Sequence, residues 1–261
     1  MKSGDKIHKM RPEIHLQSWD LKKTYDLVEK LFGRVQLSIV QPSIRSIGDR
    51  QKFAQYHYVE TKRLLRGFQR RHLRNRHLFE AIHGSDEKAS YAFEVLMVKV
   101  GAHITACIQA IHAVPDILAS GVYLGLGLNL KSEKLADRSI NITSVGNLLR
   151  RFPSYIELAT LFDQVALGYK YEYIAAVSNL SKHRTVIRPS LNMDMTGVRT
   201  NLHEFHIGSF EKKIGGILKY YPSISIEDLL EEEFSRVGGI IVEIGNKMNE
   251  ILESGDHMHA I

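Results

Sequence analysis

The chain has 261 residues, 44% hydrophobic and 25% charged, with 19 Gly, 6 Pro and a single Cys, a composition that excludes a collagen-like fibre, a disordered tail and a disulfide scaffold. The formal net charge of +6 is local: residues 1–100 hold 20 Lys+Arg against 11 Asp+Glu, and residues 101–261 hold 15 against 18. Cys107 sits inside an apolar helical pattern and reads as a small core residue in a reducing compartment, so the expected location is the cytoplasm. Residues 1–11 contain three Lys and one Arg and no apolar segment. The most apolar stretch, 101–130, is interrupted by His103, His112, Pro115 and Asp116, so neither secretion nor membrane insertion is expected.

In chain order, Leu21, Tyr25, Val28, Leu31 and Phe32 recur mostly at spacings of three and four, predicting a helix over 19–40 with Ser18 as its N-cap. Pro42 and Gly48 predict a loop. Asp49 then caps a helix running to about residue 82, closed by Gly84. The next helix carries the clearest stripe: Phe93, Leu96, Met97, Val100, Ile104, Cys107, Ile108, Ile111 and Leu118. Pro115 lacks a backbone donor and clashes with the carbonyl of Ile111, which predicts a kink or break. Residues 131–142 read as a surface connection, and Thr143 caps a short helix to about residue 151. Pro153 leads into a second core helix over 155–183, with Leu158, Phe162, Val165, Tyr169, Tyr173, Val177 and Leu180 in the same rhythm.

Beyond His183 the period falls toward two. Thr185-Val186-Ile187, a turn at Thr196-Gly197 and the mixed stretch 198–210 predict a small hairpin. The last helix, 225–254, places Glu227, Asp228 and Glu231 to Glu233 near its N-terminus, where the helix dipole favours negative charge. Gly238-Gly239 and Gly245 either bend that helix or let another approach closely. The expected fold is all-α, a bundle of about five or six helices with a small β-like insertion near 185–210. It is read as a single domain: basic helices 19–82, core helices 85–183, the insertion and the C-terminal helix.

Lys62, Arg63, Arg66, Arg70, Arg71, Arg74 and Arg76 occur with no acid between them. On one helix Arg63, Arg66, Arg70, Arg74 and His77 share a face about 20 Å long, suited to a phosphate backbone. Interleaved aromatics are few, Tyr56, Tyr58, Phe68 and Phe79, so the signal concerns charge and not base reading. The alternatives are a solvated face or pairing with Glu231, Glu232 and Glu233.

The thirteen His show no zinc-ligand spacing, and His203 and His206 would face opposite ways on a strand, so no metal is expected. Neither is any other cofactor, since no Walker loop, GxGxxG turn or GxSxG elbow occurs. Each of two core helices instead carries a polar pair spaced i, i+4: His112 with Asp116, and Asn179 with His183. Packed together, these could let a carboxylate orient an imidazole for acid/base work near neutral pH, or could simply fix helix register.

The segment Ser178-Asn179-Leu180-Ser181-Lys182-His183 resembles the signature of the HEPN superfamily. There an Arg, often followed by Asn or Asp, precedes a His by four to six residues near the end of a core helix. Asn179 and His183 match in spacing and placement, and Ser178 stands where the family has Arg. The stretch from His112 through Asp116 to Asn179, His183 and Arg184 is also similar to a group of bacterial helical proteins, over about residues 90–255. The resemblance implies a dimeric helical bundle acting in metal-independent RNA cleavage or RNA binding, in stress response or phage defence. His183 would then be the general acid or base toward a ribose 2′-hydroxyl, and Asn179 would hold the phosphate or the imidazole. Arg184 is the nearest replacement for the missing Arg. The second expectation is a non-enzymatic module that binds nucleic acid or a protein through the 62–76 face.

Overall fold

The computed structural model describes residues 19–74, 77–186, 188–194 and 202–255. The expectations on 1–18, Arg76, Ile187 and 195–201, among them the Ser18 cap and the Thr196-Gly197 turn, lie outside the described residues. Mainly helical, the chain orders as α1 (Leu21–His72), α2 (Leu78–His83), α3 (Glu87–Gly125), α4 (Ile142–Leu149), α5 (Ile156–Ala166) and α6 (Tyr169–His183), then β1 (Pro189–Met193), β2 (His203–Ile207), β3 (Phe210–Ile214), β4 (Ile217–Tyr221) and β5 (Ile224–Ser225), and last α7 (Ile226–Ser254). It forms two compact units, one drawn from 1–48, 115–167 and 234–261 and the other from 49–114 and 168–233.

In the first unit the break in α1 falls at Gly33 and not at the expected 42–48 loop. Gly33 has φ 83° and ψ 173°, a conformation open to glycine, while Pro42 stays inside the helix. Val40, Ile44 and Ile47 around Pro42 are buried, and that packing outweighs the hydrogen bond proline removes. Likewise α3 continues through Pro115, with Val114 and Leu118 buried on either side. The cap of α4 is Asn141, whose side chain accepts from the Ser144 N–H at 2.9 Å, and not Thr143. Trp19 is buried, and its Nε1 donates to Thr24 Oγ1 at 2.9 Å. Thr24 Oγ1 in turn donates to Asn249 Oδ1 of α7 at 2.6 Å.

The expected 155–183 helix is two helices, α5 and α6, parted at Gly168, which has φ 109°. The apolar rhythm runs across the break because both helices bury the same kind of face, Leu158, Phe162 and Val165 on one and Tyr173, Val177 and Leu180 on the other.

In the second unit, the part of α1 after residue 48 runs antiparallel to α3. Cys107 Sγ donates to the Ala54 carbonyl at 3.3 Å, and the Phe68 and Phe93 rings meet at 5.8 Å. Burial pushes the Cys107 thiol up to about 12, which suits an inert core residue. Here α1 ends at His72, ten residues short of the expected end, and α2 is a separate element.

The β region is larger than the expected insertion and extends to Ser225. Sheet order is β1-β2-β5, antiparallel, with Leu191 opposite Phe205. A second hairpin, β3–β4, turns through Gly215 and Gly216, both at positive φ (55° and 91°), the two-residue loop that matches strand twist. It is fastened to α6. Lys219 Nζ donates to both Glu172 oxygens at 2.5 and 2.7 Å, and the Tyr221 hydroxyl donates to Glu172 Oε1 at 2.8 Å. Those two partners hold the Glu172 carboxyl below its ordinary range.

By length and composition α3 could cross a membrane, with 28% of its most apolar window buried. Its stripe from Val100 through Ile104, Ile108 and Ile111 to Leu118 is buried in the protein.

Candidate nucleic-acid interface

The second half of α1 displays its guanidinium groups because its opposite side is committed to the core through Ala54, Thr61 and Phe68. Arg63, Arg66, Arg70 and Arg71 are exposed. Lys62 is not part of this face: its Nζ donates to Glu227 at 2.9 Å and Glu231 at 2.8 Å, on the first turns of α7. The Tyr58 hydroxyl donates to the same Glu231 at 2.6 Å, and burial together with that bond raises the phenol far above its ordinary value. Glu227 and Glu231 at the start of α7 are therefore engaged by Lys62 and Tyr58, and Glu232 by Lys170. Arg63 pairs within its own helix with Glu60, at 2.8 Å, and Arg71 folds back to donate to the Gly67 carbonyl at 3.1 Å. Among the described residues no carboxylate pairs with Arg66 or Arg70.

Arg74 is exposed but stands in the turn after α1, and His77 precedes α2. The expected five-residue row thus reduces on the helix to Arg63, Arg66 and Arg70, spanning about 10 Å at 1.5 Å per residue. The aromatic residues also sort themselves. Phe68 is buried and Tyr58 half-buried, whereas Tyr56 is 58% exposed and Phe79 72% exposed. Periodicity alone could not separate these four, because which side of α1 is covered depends on α3 and α7.

Beside Tyr56, the His57 and His103 imidazoles meet Nδ1 to Nδ1 at 2.9 Å. Burial first, and the neighbouring His103 second, pull the His57 pKa below its ordinary value. His203 is lowered as well, by burial; its Nε2 is buried without a partner among the described residues, and its Nδ1 lies 3.4 Å from Gln69 Nε2. Both histidines bind a proton more weakly folded than unfolded, so the unfolded state gains protons first as pH falls. Stability is expected to hold above about pH 6.5 and to decline below it. Urea unfolding at pH 7.5 and 5.5 checks this, and His57→Gln should flatten the difference.

The polar pairs take different roles from those their spacing suggested. Asp116 accepts from the Ile142 N–H at 3.0 Å and so holds the start of α4. The His112 ring stacks on Tyr171, 6.4 Å between centroids and 13° between planes. His183 and Arg184 are exposed at the end of α6 and Asn179 is half-buried; no hydrogen bond joins His183 to Asn179, His112 or Asp116 among the described residues. Ser178 is fully buried, with its hydroxyl unpartnered among the described residues.

His203 and His206 alternate in burial along β2, as their spacing requires. No group of three or more His, Cys, Asp or Glu positioned to hold a metal occurs among the described residues. No protein-family model, curated protein or solved structure matches this chain.

Proposed function

We propose that this protein is a helical nucleic-acid-binding module that holds an anionic backbone on the Arg63, Arg66 and Arg70 face of α1. One observation carries the reading: these guanidiniums are exposed on one side of the helix, while on α7 Glu227 and Glu231 are held by Lys62 and Tyr58 and Glu232 by Lys170. Arg66 and Arg70, exposed and with no carboxylate partner among the described residues, are suited to bidentate phosphate contacts, and Arg63 joins them by exchanging its exposed Glu60 pair for phosphate.

Replacing Arg63, Arg66 and Arg70 with Glu is expected to weaken nucleic-acid binding by more than tenfold. It should also lower the slope of log affinity against log salt by about 0.7 to 0.9 for each lost phosphate contact. An unchanged affinity and slope, measured by fluorescence anisotropy across a salt series, would sink the reading.

A second reading, metal-independent RNA cleavage by a dimeric HEPN-like protein, is favoured by the solvent-open His183 imidazole with Arg184 beside it and Asn179 one turn before it. Because Ser178 is buried, the cation in this reading comes from Arg184. Incubating labelled single-stranded RNA in EDTA with wild type and His183→Ala tests it. Cleavage lost in the variant, at unchanged melting temperature, supports catalysis; no cleavage by the wild type removes it and leaves the binding module.

A further inference from the structure

The arginine row does not end in plain surface. Along α1, the direction of Tyr56 differs from those of Arg63, Arg66 and Arg70 by about 20°, 80° and 40°, at 100° per residue, so the four side chains leave the same side of the helix. The Tyr56 ring is 58% exposed. It meets His57 and His103 edge-on, at 5.2 Å and 66° and at 6.3 Å and 68°, so neither imidazole stacks flat on it. An exposed aromatic face in line with exposed guanidiniums combines the two elements that unpaired nucleotides use, a stacking platform and a backbone clamp.

The imidazole pair adds a third element. A contact of 2.9 Å between two Nδ1 atoms requires one ring to donate Nδ1–H and the other to accept it. In the neutral pair the donor ring then keeps a bare Nε2 acceptor and the acceptor ring carries Nε2–H. Burial first, and the neighbouring His103 second, hold His57 below its ordinary value, which favours its neutral ring. The half-buried pair therefore offers one donor and one acceptor beside the stacking ring. A ribose 2′-hydroxyl, which both donates and accepts, is the complement of that arrangement, and deoxyribose lacks it.

We infer that Tyr56, His57 and His103 form a nucleotide subsite for single-stranded RNA at one end of the arginine row, with a base stacked on Tyr56 and a 2′-hydroxyl read by the imidazole pair. This deepens the phosphate-binding reading above and rests on it. The test is fluorescence anisotropy of the full chain with a labelled single-stranded RNA, the DNA of the same sequence, and a blunt RNA duplex. Wild type should bind the single-stranded RNA tightest. Tyr56→Ala should weaken that binding about tenfold, the usual cost of losing one stacked base, while leaving duplex binding and the melting temperature near wild type, and Tyr56→Phe should restore it. His103→Ala should narrow the gap between RNA and DNA.

If Tyr56→Ala leaves single-stranded binding unchanged while the triple Arg variant still weakens it, the subsite is overturned and the backbone clamp stands. Equal wild-type affinity for single-stranded RNA and DNA overturns the 2′-hydroxyl reading, and tighter binding of the duplex overturns the subsite. An inert triple Arg variant removes both proposals.

Discussion

Gly245→Ala is expected to lower the melting temperature by roughly 6 to 12 °C. A β-carbon at 245 would fall inside the Trp19 indole, overlapping its ring atoms. The indole has no free direction to yield, because Trp19 is buried at 3% exposure and its Nε1 is tied to Thr24, which is tied to Asn249. Overpacking of this kind costs about 3 kcal/mol, and about 2 to 4 °C accompanies each kcal/mol in a chain of this size. Trp19 is the sole tryptophan, so its fluorescence reports directly on this unit. In a Trp19→Ala background the same glycine substitution should cost almost nothing, a coupling of well over 1 kcal/mol in the double-mutant cycle. Additive losses would show that the contact does not limit stability.

The glycines also explain why some element boundaries were legible in the sequence and others were not. Apolar rhythm located the start of α1 and the body of α3, since a helix in a packed protein must cover an apolar stripe whatever its ends do. It could not locate the breaks. Pro42 and Pro115 look like interruptions by local chemistry, yet both are carried inside helices whose flanking residues are buried. The true breaks at Gly33 and Gly168 depend on positive φ, a demand of the tertiary path that leaves only a glycine in the sequence, where many glycines serve other ends. Gly215-Gly216 carries a local signal, yet the expected β region stops at 210 and misses the hairpin there. Two adjacent glycines between apolar-containing stretches are a hairpin signal in their own right, and the β3–β4 hairpin sits where that signal stands.

The candidate interface was legible in part for a similar reason. Charge without acid between 62 and 76 named the arginines, and helical geometry named their common face. Lys62 belongs to the same run yet is spent on Glu227 and Glu231, residues about 165 and 169 positions away in sequence, and no local pattern announces such a pairing. His57 and His103 were invisible as a pair because they come from two helices, and Tyr56 gained its meaning only once Tyr58 and Phe68 were seen to be covered. The i, i+4 spacing of His112 and Asp116 carries no sign that Asp116 spends its carboxylate on the start of α4.

Tyr173→Ala is expected to cost about 3 to 5 kcal/mol, the range for truncating a buried aromatic residue. Tyr173 is fully buried on α6. Its ring meets Phe210 edge-on at 5.2 Å and Tyr221 at 5.6 Å, while those two stack on each other at 4.8 Å. A two-stranded hairpin is marginal by itself in water, and much of β3–β4 is exposed, with Ile217, Leu218 and Tyr220 all outward. The hairpin's stability therefore comes from this aromatic contact, with the half-exposed Glu172–Lys219 pair adding less because solvent screens it. The Tyr173 hydroxyl donates to the Pro222 carbonyl at 3.0 Å, so Tyr173→Phe, which keeps the ring, should lose only about 1 kcal/mol. Hydrogen exchange separates the contributions: in Tyr173→Ala the amides of 210–221 should lose protection before those of α3, whereas Glu172→Gln should leave most of that protection in place. If Tyr173→Ala and Glu172→Gln prove equally damaging, the ion pair and not the aromatic cluster is what fastens the hairpin to α6.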